Sequence, residues 1–211
     1  MIHAPLPRIF YTVDACTLAE NCIGKLLVLE TDAGCMTGLI TETEAYMGVV
    51  DRASHAYGGR RTARNETMYR MGGYAYVYQI YGLYHCLNVT AAGEGNPEAV
   101  LIRGILPVDG VGLMCRNRQN NGRARSYPAP ESMTPKQLQA MTNGPGKLCT
   151  ALGIGRETDG ADLTAGRLYL ADTDVRAAEI KRLPRVGIDY AGEDRDKPWR
   201  FLAVLSHAAQ S

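Results

Sequence analysis

The tyrosine-rich stretch 74–90, Tyr-Ala-Tyr-Val-Tyr-Gln-Ile-Tyr-Gly-Leu-Tyr-His-Cys-Leu-Asn-Val-Thr, constrains the fold of this chain more than any other segment. Its first seven residues alternate between two faces, which predicts a β-strand. Tyr81-Gly82 predicts a tight turn, and the residues after it predict the returning strand of a hairpin. Tyr76 and Tyr78 then share one face, while Tyr81 lies at the tip. Such a row of rings can stack on a flat ligand, although an aromatic-rich core hairpin is the alternative interpretation.

The remaining patterns predict a mixed α/β (α+β) fold with mostly antiparallel strands in a single compact domain, 1–211. Stretches with apolar residues at helical spacing alternate with short apolar strands and turn signals. The predicted helices are 9–24, 64–70, 110–119 and one that begins at Asn143-Gly-Pro-Gly-Lys147, and the predicted strands outside the hairpin are 26–30, 36–45, 99–106, 167–171, 178–183 and 199–205. Residues 120–135, rich in Gly, Pro and Ser, predict a basic connector.

Basic residues are concentrated in one part of the chain. The 23 Lys and Arg nearly balance the 22 Asp and Glu, and the net charge is +1. Residues 51–147, which contain the hairpin, nevertheless carry 12 Lys and Arg against 6 Asp and Glu. A local excess of positive charge indicates contact with a polyanion, while a solvated surface balanced by acids from elsewhere in the fold is the alternative.

Neither a membrane nor an oxidising compartment is indicated by the sequence. No apolar run is long enough to span a bilayer, and the N-terminus does not resemble a signal peptide. The 6 Cys and 4 His are scattered, without a Cys-x-x-Cys pair, which argues against disulfides and against a zinc site. We therefore expect a cytoplasmic protein of bacterial type that needs no metal and no cofactor.

Two acidic residues and one arginine stand out within the predicted strands. In Thr41-Glu42-Thr43-Glu44 the alternation places both carboxylates on one face, where burial needs a compensating interaction. Arg103 interrupts an apolar strand and needs an acidic partner, for which Glu44 is a candidate. The helix start at Asn143 has flanking glycines and Lys147, a combination that can seat a phosphate.

An ordered set of motifs resembles the alkyladenine (3-methyladenine or N-methylpurine) DNA glycosylase family from about Leu18 to Phe201. Each motif is weak alone, but their common order is specific. The set comprises Thr43-Glu44-Ala45-Tyr46, His55 with Gly58-Gly59-Arg60, Arg64-Asn65, Tyr76-Val77-Tyr78, Tyr81-Gly82, Asn88, Arg103, Asn143-Gly144-Pro145-Gly146-Lys147, and Arg185-Val186-Gly187-Ile188 followed by Tyr190-Ala191-Gly192. Segment 116–135, the tail after Phe201, and His85, where the mammalian relative has an aromatic residue, depart from the family pattern.

The resemblance implies a curved antiparallel sheet flanked by helices and a protruding β-hairpin that inserts into the DNA minor groove. It implies a monomeric enzyme that flips damaged purines out of double-stranded DNA and hydrolyses their N-glycosidic bond. The substrates would belong to the class of 3-methyladenine, 7-methylguanine, hypoxanthine and ethenoadenine, and the product would be an abasic site.

The same resemblance implies roles for individual residues. Glu44 matches the general base that activates a water, and Arg103 helps to hold that water together with the main chain around Val186. Asn88 matches the residue that crowds the exocyclic amine of guanine, and Tyr81 matches the side chain that fills the gap left by the flipped nucleotide. The base pocket would contain Tyr46, His55, Tyr76, Tyr78 and Val186, and DNA contacts would come from Arg60, Arg64, Leu83, Lys147 and Arg185.

One carboxylate is sufficient for this chemistry when the departing base is cationic. Cleavage passes through an oxocarbenium-like state, which a carboxylate near C1′ stabilises while it accepts a proton from water. A neutral lesion such as hypoxanthine also needs a proton on the departing base, and no second acid is obvious in the sequence. Glu42, on the face of Glu44, is the alternative base. No lysine takes the place of water as nucleophile, so we expect no lyase activity.

Two functions of other classes remain open from the sequence alone. A DNA- or RNA-binding module could have kept the fold and lost the activity, although the presence of Glu44 and Arg103 argues against it. A hydrolase of free nucleosides would leave Tyr81 and the basic stretch 51–147 unexplained. His55 could be a structural histidine rather than a pocket residue, and a metal bound by His55 and His85 is a weaker alternative.

Overall fold

One antiparallel β-sheet with helices packed against it forms the framework of the computed structural model, which describes residues 3–120 and 126–204. The strands are β1 (Leu26–Thr31), β2 (Gly34–Tyr46), β3 (Ala75–Ile80), β4 (Tyr84–Ala91), β5 (Glu98–Asp109), β6 (Leu168–Ala171), β7 (Glu179–Leu183) and β8 (Arg200–Val204). The α-helices are α1 (Ala15–Cys22), α2 (Val111–Asn120), α3 (Pro135–Thr142) and α4 (Pro145–Leu152). Short 3-10 segments lie at Arg8–Tyr11, Gly48–Val50, Tyr57–Gly59, Glu66–Tyr69, Pro130–Ser132, Arg156–Thr158 and Asp189–Asp196. The predicted mixed α/β fold with antiparallel pairing is confirmed.

Strand β2 is the centre of the sheet, because its 13 residues pair with β1, β5 and β8. β1 pairs with its first half and β8 with Glu42–Glu44, while β5 pairs with β2 along most of its length. The strand order is β3-β4-β5-β2-β1-β6, and β7 pairs with β8. Side chains carried by the second half of β2 are therefore held from both sides.

Pairing between β2 and β5 is interrupted by register shifts, which mark β-bulges. At one of them Glu42 pairs with Gly104 and Thr43 pairs with Ile102, so that Arg103 is the extra residue on β5. A bulge bends a strand, increases its twist and re-aims a side chain. The bulges curve the sheet, and this one sets Arg103 opposite the end of β2 that carries the acidic residues.

The two faces of the sheet have different surroundings. One face packs mainly against α1 and α4 through alternate apolar positions, such as Ala45, Val89 and Ile102. On this side the Thr43 hydroxyl donates a hydrogen bond to the Ala19 carbonyl of α1 at 2.8 Å. Because strand residues alternate between faces, the intervening positions point away from these helices. The main hydrophobic core therefore lies on the helix side. The opposite face has a smaller apolar cluster around Leu26, Val28 and Leu39 and, near β3 and β4, polar and aromatic residues.

The α-helices have eight to ten residues each, and α3 is absent from the sequence prediction. Thr134 and Gln137 form a capping box at its start, and this spacing is a signal that the sequence contains. A helix needs about 20 apolar residues to cross a bilayer. Within residues 3–120 and 126–204, no helix is long and apolar enough to do so.

The strand predictions agree with the structure to within three residues at each end, whereas two helix predictions need correction. Predicted helix 9–24 is wrong in its first part, because Asp14 accepts a hydrogen bond from the Thr17 N–H at 3.0 Å and caps α1 at Ala15. Predicted helix 64–70 is a shorter 3-10 segment. The predicted connector includes residues 121–125, and the last predicted strand includes Leu205; these positions lie outside the described residues.

Gly110, at the corner between β5 and α2, should not tolerate a side chain. Its φ is +71°, and a Cβ there would lie 2.4 Å from the Cys35 carbonyl oxygen and 2.8 Å from the Met36 Cα. Both the positive φ and the overlap with main chain oppose alanine. We expect Gly110→Ala to lower the free energy of unfolding by about 2–3 kcal/mol in chemical denaturation. Gly93→Ala is the control, because nothing lies within 4 Å of its Cβ position. Equal losses in the two variants would contradict the prediction.

Candidate active site

A row of paired residues crosses four strands on the face that points away from α1 and α4. Tyr76 of β3 pairs with Asn88 of β4. Asn88 in turn pairs with Leu101 of β5, which pairs with Glu44 of β2. Residues paired directly across antiparallel strands point to the same face of the sheet. The strand register therefore places Glu44 on the same face of the sheet as Tyr76 of the hairpin.

The Glu44 carboxylate has no exposed surface, yet both of its oxygens have partners. Oε1 accepts a hydrogen bond from the Val186 N–H at 2.8 Å, and Oε2 accepts one from the Tyr46 hydroxyl at 3.0 Å. Arg103 Nη1 lies 3.4 Å from Oε1. A buried carboxylate is tolerated when it is paired and hydrogen-bonded in this way. Groups from β2, β5 and the loop after β7 together hold this carboxylate in place.

Burial raises the pKa of Glu44 above its ordinary value of 4.5. Arg103, the Val186 N–H and the Tyr46 hydroxyl oppose this rise, and Glu42 adds to it. A carboxylate whose pKa is raised by burial is a stronger base toward a bound water than an exposed one. The pKa of Tyr46 is itself raised well above its ordinary value by burial and by the nearby carboxylate. The Tyr46 hydroxyl therefore keeps the proton that it donates.

Arg103 connects the two carboxylates of β2. Its Nε donates to Glu42 Oε1 at 3.0 Å, and its Nη1 approaches Glu44. Glu42 also accepts a hydrogen bond from Arg200 Nη1 of β8 at 3.0 Å. The predicted pairing of Arg103 with an acidic residue is confirmed. Glu42 is held by two guanidinium groups, and this leaves it less available than Glu44 as a base.

His55, Tyr76 and Tyr78 form an aromatic cluster. The His55 Nδ1 and the Tyr76 hydroxyl are 2.8 Å apart. The ring centres of His55 and Tyr78 are 4.6 Å apart, and those of Tyr76 and Tyr78 are 5.4 Å apart. Burial lowers the pKa of His55, and Arg64 and Arg60 lower it further, so the imidazole is neutral near pH 7. A neutral ring can contact a cationic purine without charge repulsion.

A pocket beside these rings brings together most of the residues predicted to bind a base. Asn88 lies in its wall, and the Nδ2 of its amide donates to the carbonyls of Tyr76 at 3.0 Å and Cys86 at 3.4 Å. Val186 is the exception, since it reaches Glu44 through its N–H rather than lining the pocket. The predicted residues in the wall are Tyr46, His55, Tyr76, Tyr78 and Asn88.

Some residues of the pocket wall are absent from the sequence prediction. Tyr190 is largely exposed and belongs to the motif that begins at Arg185, but no role is assigned to it there. The others are small or apolar residues that carry no signal of their own, and the fold alone brings them to the pocket. These additional residues are Ala53, Ser54, Met68, Ala99 and Tyr190.

β3 and β4 form the predicted hairpin, and Tyr81 lies at its tip with 87% of its surface exposed. Tyr81 and Gly82 have φ values of 52° and 65°. The Leu83 N–H donates to the Ile80 carbonyl at 3.1 Å and closes the turn. Positive φ at both central residues is the pattern of a type I′ turn, in which a bulky first residue is strained. Strained residues of this kind are concentrated at functional positions.

Most of the predicted DNA contacts are exposed; they are Arg60, Arg64, Leu83 and Lys147. Arg60 and Arg64 are close enough to the His55 imidazole to lower its pKa. Lys147 lies in the first turn of α4. The N–H of Gly144, the residue that precedes this helix, donates a hydrogen bond to the Arg103 carbonyl at 2.9 Å. Arg60 and Arg64 therefore lie beside the pocket, and contact of these two residues and Lys147 with phosphate stays a prediction.

Arg185, predicted as a DNA contact, is buried, so its side chain cannot reach a phosphate. Its guanidinium pairs with Asp51 through Nη1–Oδ2 at 2.5 Å and Nη2–Oδ1 at 2.8 Å, and neither side chain is exposed. A buried charge of this kind requires its partner. The prediction is wrong for this side chain because the partner lies 134 residues earlier in the chain, where no local pattern reveals it.

A family model and three relatives match this chain along most of its length. The model of the methylpurine-DNA glycosylase (MPG) family matches residues 9–206. A protein of Desulfitobacterium hafniense strain Y51 is 44% identical over 196 residues, which cover 93% of this chain and 93% of that protein. Proteins of Clostridium acetobutylicum and Clostridium novyi are 45% and 41% identical over 196 residues, which cover 93% of this chain and 92% and 93% of theirs. All three are named provisionally as 3-methyladenine DNA glycosylases.

The buried Glu44 carboxylate should make the free energy of unfolding depend on pH. Between the ordinary pKa of 4.5 and the raised pKa of native Glu44, the native state binds more protons than the unfolded state. The contribution of Glu44 to stability is therefore fully present below pH 4.5 and is lost as the pH rises through its native pKa. We expect Glu44→Gln to remove this loss, so that the variant is more stable than wild type at pH 7 and 8 but not at pH 4 in chemical denaturation.

Glu66→Gln is the control for this titration. Glu66 is exposed, and its hydrogen bond with Arg61 lowers its pKa. Its carboxylate contributes stability above its unfolded pKa, and this contribution is lost as the pH falls. The two variants should therefore change the pH dependence in opposite directions. A Glu44→Gln variant that follows wild type at every pH would contradict the prediction.

Proposed function

The chain belongs to the methylpurine-DNA glycosylase family, and we propose that it hydrolyses the N-glycosidic bond of damaged purines in double-stranded DNA with a water activated by Glu44. In this proposal residues 1–211 act as one domain and as a monomer, without a cofactor, and leave an abasic site. The observation that carries it is the buried Glu44 carboxylate, whose partner Tyr46 lines the aromatic pocket. The names of the relatives support 3-methyladenine as a substrate.

The target nucleotide must leave the duplex before its sugar can approach a buried carboxylate. Unstacking and unpairing cost roughly a few kcal/mol, and less for a damaged base. Contacts with Tyr46, His55 and Tyr78 offset this cost, since stacking of a base on an aromatic ring is worth about 1–3 kcal/mol. Tyr81, exposed at the tip of the hairpin, would occupy the vacated position in the stack. Flipping itself thus favours damaged purines.

Glu44 acts in this scheme as the general base toward a water that attacks C1′ of the deoxyribose. The water oxygen bonds to C1′, its proton passes to the carboxylate, and the electron pair of the N–C1′ bond leaves with the base. The negative charge of Glu44 also stabilises the oxocarbenium-like transition state. With 3-methyladenine or 7-methylguanine the cationic base departs as a neutral molecule. Charges then balance without a second acid.

Neutral lesions such as hypoxanthine and ethenoadenine need a proton on the departing base. No carboxyl group is present among the described residues that line the pocket, so the pocket offers no carboxylic acid for this proton. Asn88 would exclude guanine by crowding its exocyclic amine. Two main-chain carbonyls fix the amide of Asn88, and this rigidity supports a steric role.

Two details of the mechanism follow from the partners of the charged groups. Glu42 is a weaker candidate for the base, because Arg103 and Arg200 both bind it. No lysine lines the part of the pocket that the structure describes, and we therefore propose no lyase step. Borohydride trapping of a covalent DNA adduct would contradict this second point.

The central test is base release from duplex DNA by Glu44→Gln. We expect release of 3-methyladenine and hypoxanthine in single-turnover assays to fall by about 10²–10⁴-fold, the usual contribution of a general base. Affinity for lesion-containing DNA, measured by fluorescence anisotropy on the same samples, should be retained because the amide keeps the shape of the carboxylate. Glu42→Gln is the matched control and should reduce the rate much less.

Other outcomes of this experiment would point to other functions or residues. If wild type binds lesion DNA but releases no base, the chain is a binding module of the same fold. If Glu42→Gln rather than Glu44→Gln stops release, Glu42 is the base. Cleavage of a free methylated nucleoside as fast as duplex DNA would indicate a nucleoside hydrolase.

Tyr81→Ala should weaken binding to duplex DNA that contains a lesion by about 10- to 100-fold, because one stacked ring is worth about 1–3 kcal/mol. Binding to single-stranded lesion DNA should change little, since no stack has to be filled there. Ile9→Ala is the control, because Ile9 is similarly exposed and lies outside the hairpin. Equal losses on single- and double-stranded DNA would count against an intercalating role.

A further inference from the structure

The buried ion pair Asp51–Arg185 has no part in the steps described above. Two hydrogen bonds, of 2.5 and 2.8 Å, join the two side chains, and neither side chain is exposed. A pair of well-packed apolar side chains is often as stable as a buried ion pair, so stability alone does not explain these charges. The Arg185 Nε also has no hydrogen-bond partner within the described residues, which is unfavourable in the interior.

Asp51 fixes the loop that follows β2. Its Oδ2 accepts a hydrogen bond from the Met47 N–H at 3.1 Å, and its Oδ1 accepts one from the Ala53 N–H at 2.9 Å. Each carboxylate oxygen thus has one donor from the loop and one from the guanidinium of Arg185. Ala53 and the next residue, Ser54, line the base pocket. The position of this part of the wall therefore depends on the ion pair.

Arg185 fixes β2 beside the catalytic carboxylate. Its Nη1 donates to the carbonyl of Ala45 at 2.9 Å, and its guanidinium lies 4.7 Å from the centre of the Tyr46 ring. The same guanidinium lies 4.9 Å from the Trp199 ring. The main chain of Arg185 continues directly into the Val186 N–H that donates to the carboxylate. One side chain is thus linked to both hydrogen-bond donors of the base.

We propose that Asp51 and Arg185 are positioning residues for glycosidic hydrolysis, which hold the Val186 N–H and the Tyr46 hydroxyl on Glu44. The inference rests on the proposed function, since it takes Glu44 as the base. Neither residue touches the substrate in this scheme. Without the pair, the loop after β7 and the loop after β2 lose their common anchor. The chemical step then slows, while the DNA-contacting surface is unchanged.

The titration of Glu44 distinguishes positioning from a purely structural role. The Val186 N–H and the Tyr46 hydroxyl both lower the pKa of Glu44, so their displacement raises it further. Because the carboxylate is the active form, the rising limb of the rate–pH profile then moves to higher pH. The charged and titratable groups that face Glu44 are Arg103, Glu42, Tyr46, Tyr78, Cys86 and Arg185.

The main variant combines Asp51→Leu with Arg185→Met. It leaves no unpaired charge in the interior, and it should fold where a single replacement is strongly destabilising. Single-turnover release of 3-methyladenine from duplex DNA should fall by about 10- to 100-fold, as a small misplacement of a catalytic group produces. The dissociation constant for undamaged duplex DNA should change little, because the double replacement leaves the exposed DNA contacts in place. Arg185→Lys should recover part of the rate, because it keeps the charge but not the two-pronged geometry.

Arg8→Met is the matched control. Arg8 also pairs with an aspartate, Asp162, and its guanidinium lies 4.5 Å from a tyrosine ring, that of Tyr74. No hydrogen bond or ion pair of Arg8 in the described structure involves Glu44 or its partners. Its loss should lower stability and leave the rate–pH profile of the folded protein unchanged.

Two measurements without DNA separate this inference from the proposed function. The ¹³C titration of the Glu44 carboxyl should show a higher pKa in the double variant. Trp199, the only tryptophan of the sequence, should change its fluorescence when the guanidinium leaves its ring. If wild type itself releases no base, the proposed function fails, and the titration still decides whether the pair positions Glu44.

The result that would overturn the inference is a folded double variant with the wild-type rate–pH profile and the wild-type Glu44 titration. Should the double variant not fold, Arg185→Lys provides the same comparison. A lysine variant with an unchanged rate, an unchanged profile and an unchanged titration would then overturn the inference equally. A shift in both profiles, absent from Arg8→Met, would support it.

Discussion

Removal of the Glu44 carboxylate from water is the constraint on which the rest of the site depends. An exposed carboxylate is satisfied by solvent, whereas a buried one must find its partners within the protein. Here the partners are Arg103, Tyr46 and the Val186 N–H, which come from different parts of the chain. They meet only when the curved sheet, its bulge at Arg103 and the loop after β7 are all in place. The arrangement around Glu44 therefore exists only in the folded state.

Because strand residues alternate between faces, one sheet can form the hydrophobic core on one side and the pocket on the other. Positions of β3, β4 and β5 that face α1 and α4 form the hydrophobic core, and the positions between them face the pocket. Polar and aromatic residues can therefore be arranged for binding without interrupting the core. Replacement of Asn88 or Tyr78 then alters the pocket directly and the packing of the helices only indirectly.

Sequence patterns recover what is local, and they fail where two distant segments must meet. The hairpin, β2 and the common face of Glu42 and Glu44 follow from alternation within a few residues. The family resemblance assigns Arg185 to DNA contact, and nothing near it in the sequence indicates Asp51, its buried partner. Tyr190 likewise belongs to a recognisable motif, but only the folded chain brings it to the pocket. Helix α3 is a different case, since its capping box, Thr134 and Gln137, is a local signal within the sequence.

The turn at the hairpin tip has a consequence for laboratory evolution. Tyr81 occupies a left-handed backbone conformation that glycine or asparagine adopts more readily. A screen that rewards heat tolerance alone would therefore favour its replacement early, since relief of such strain is a common route to greater stability. The survivors would resist heat better than their parent but would lack the exposed aromatic ring at the hairpin tip. A selection for more thermostable variants of this protein would therefore need to measure base release in every round.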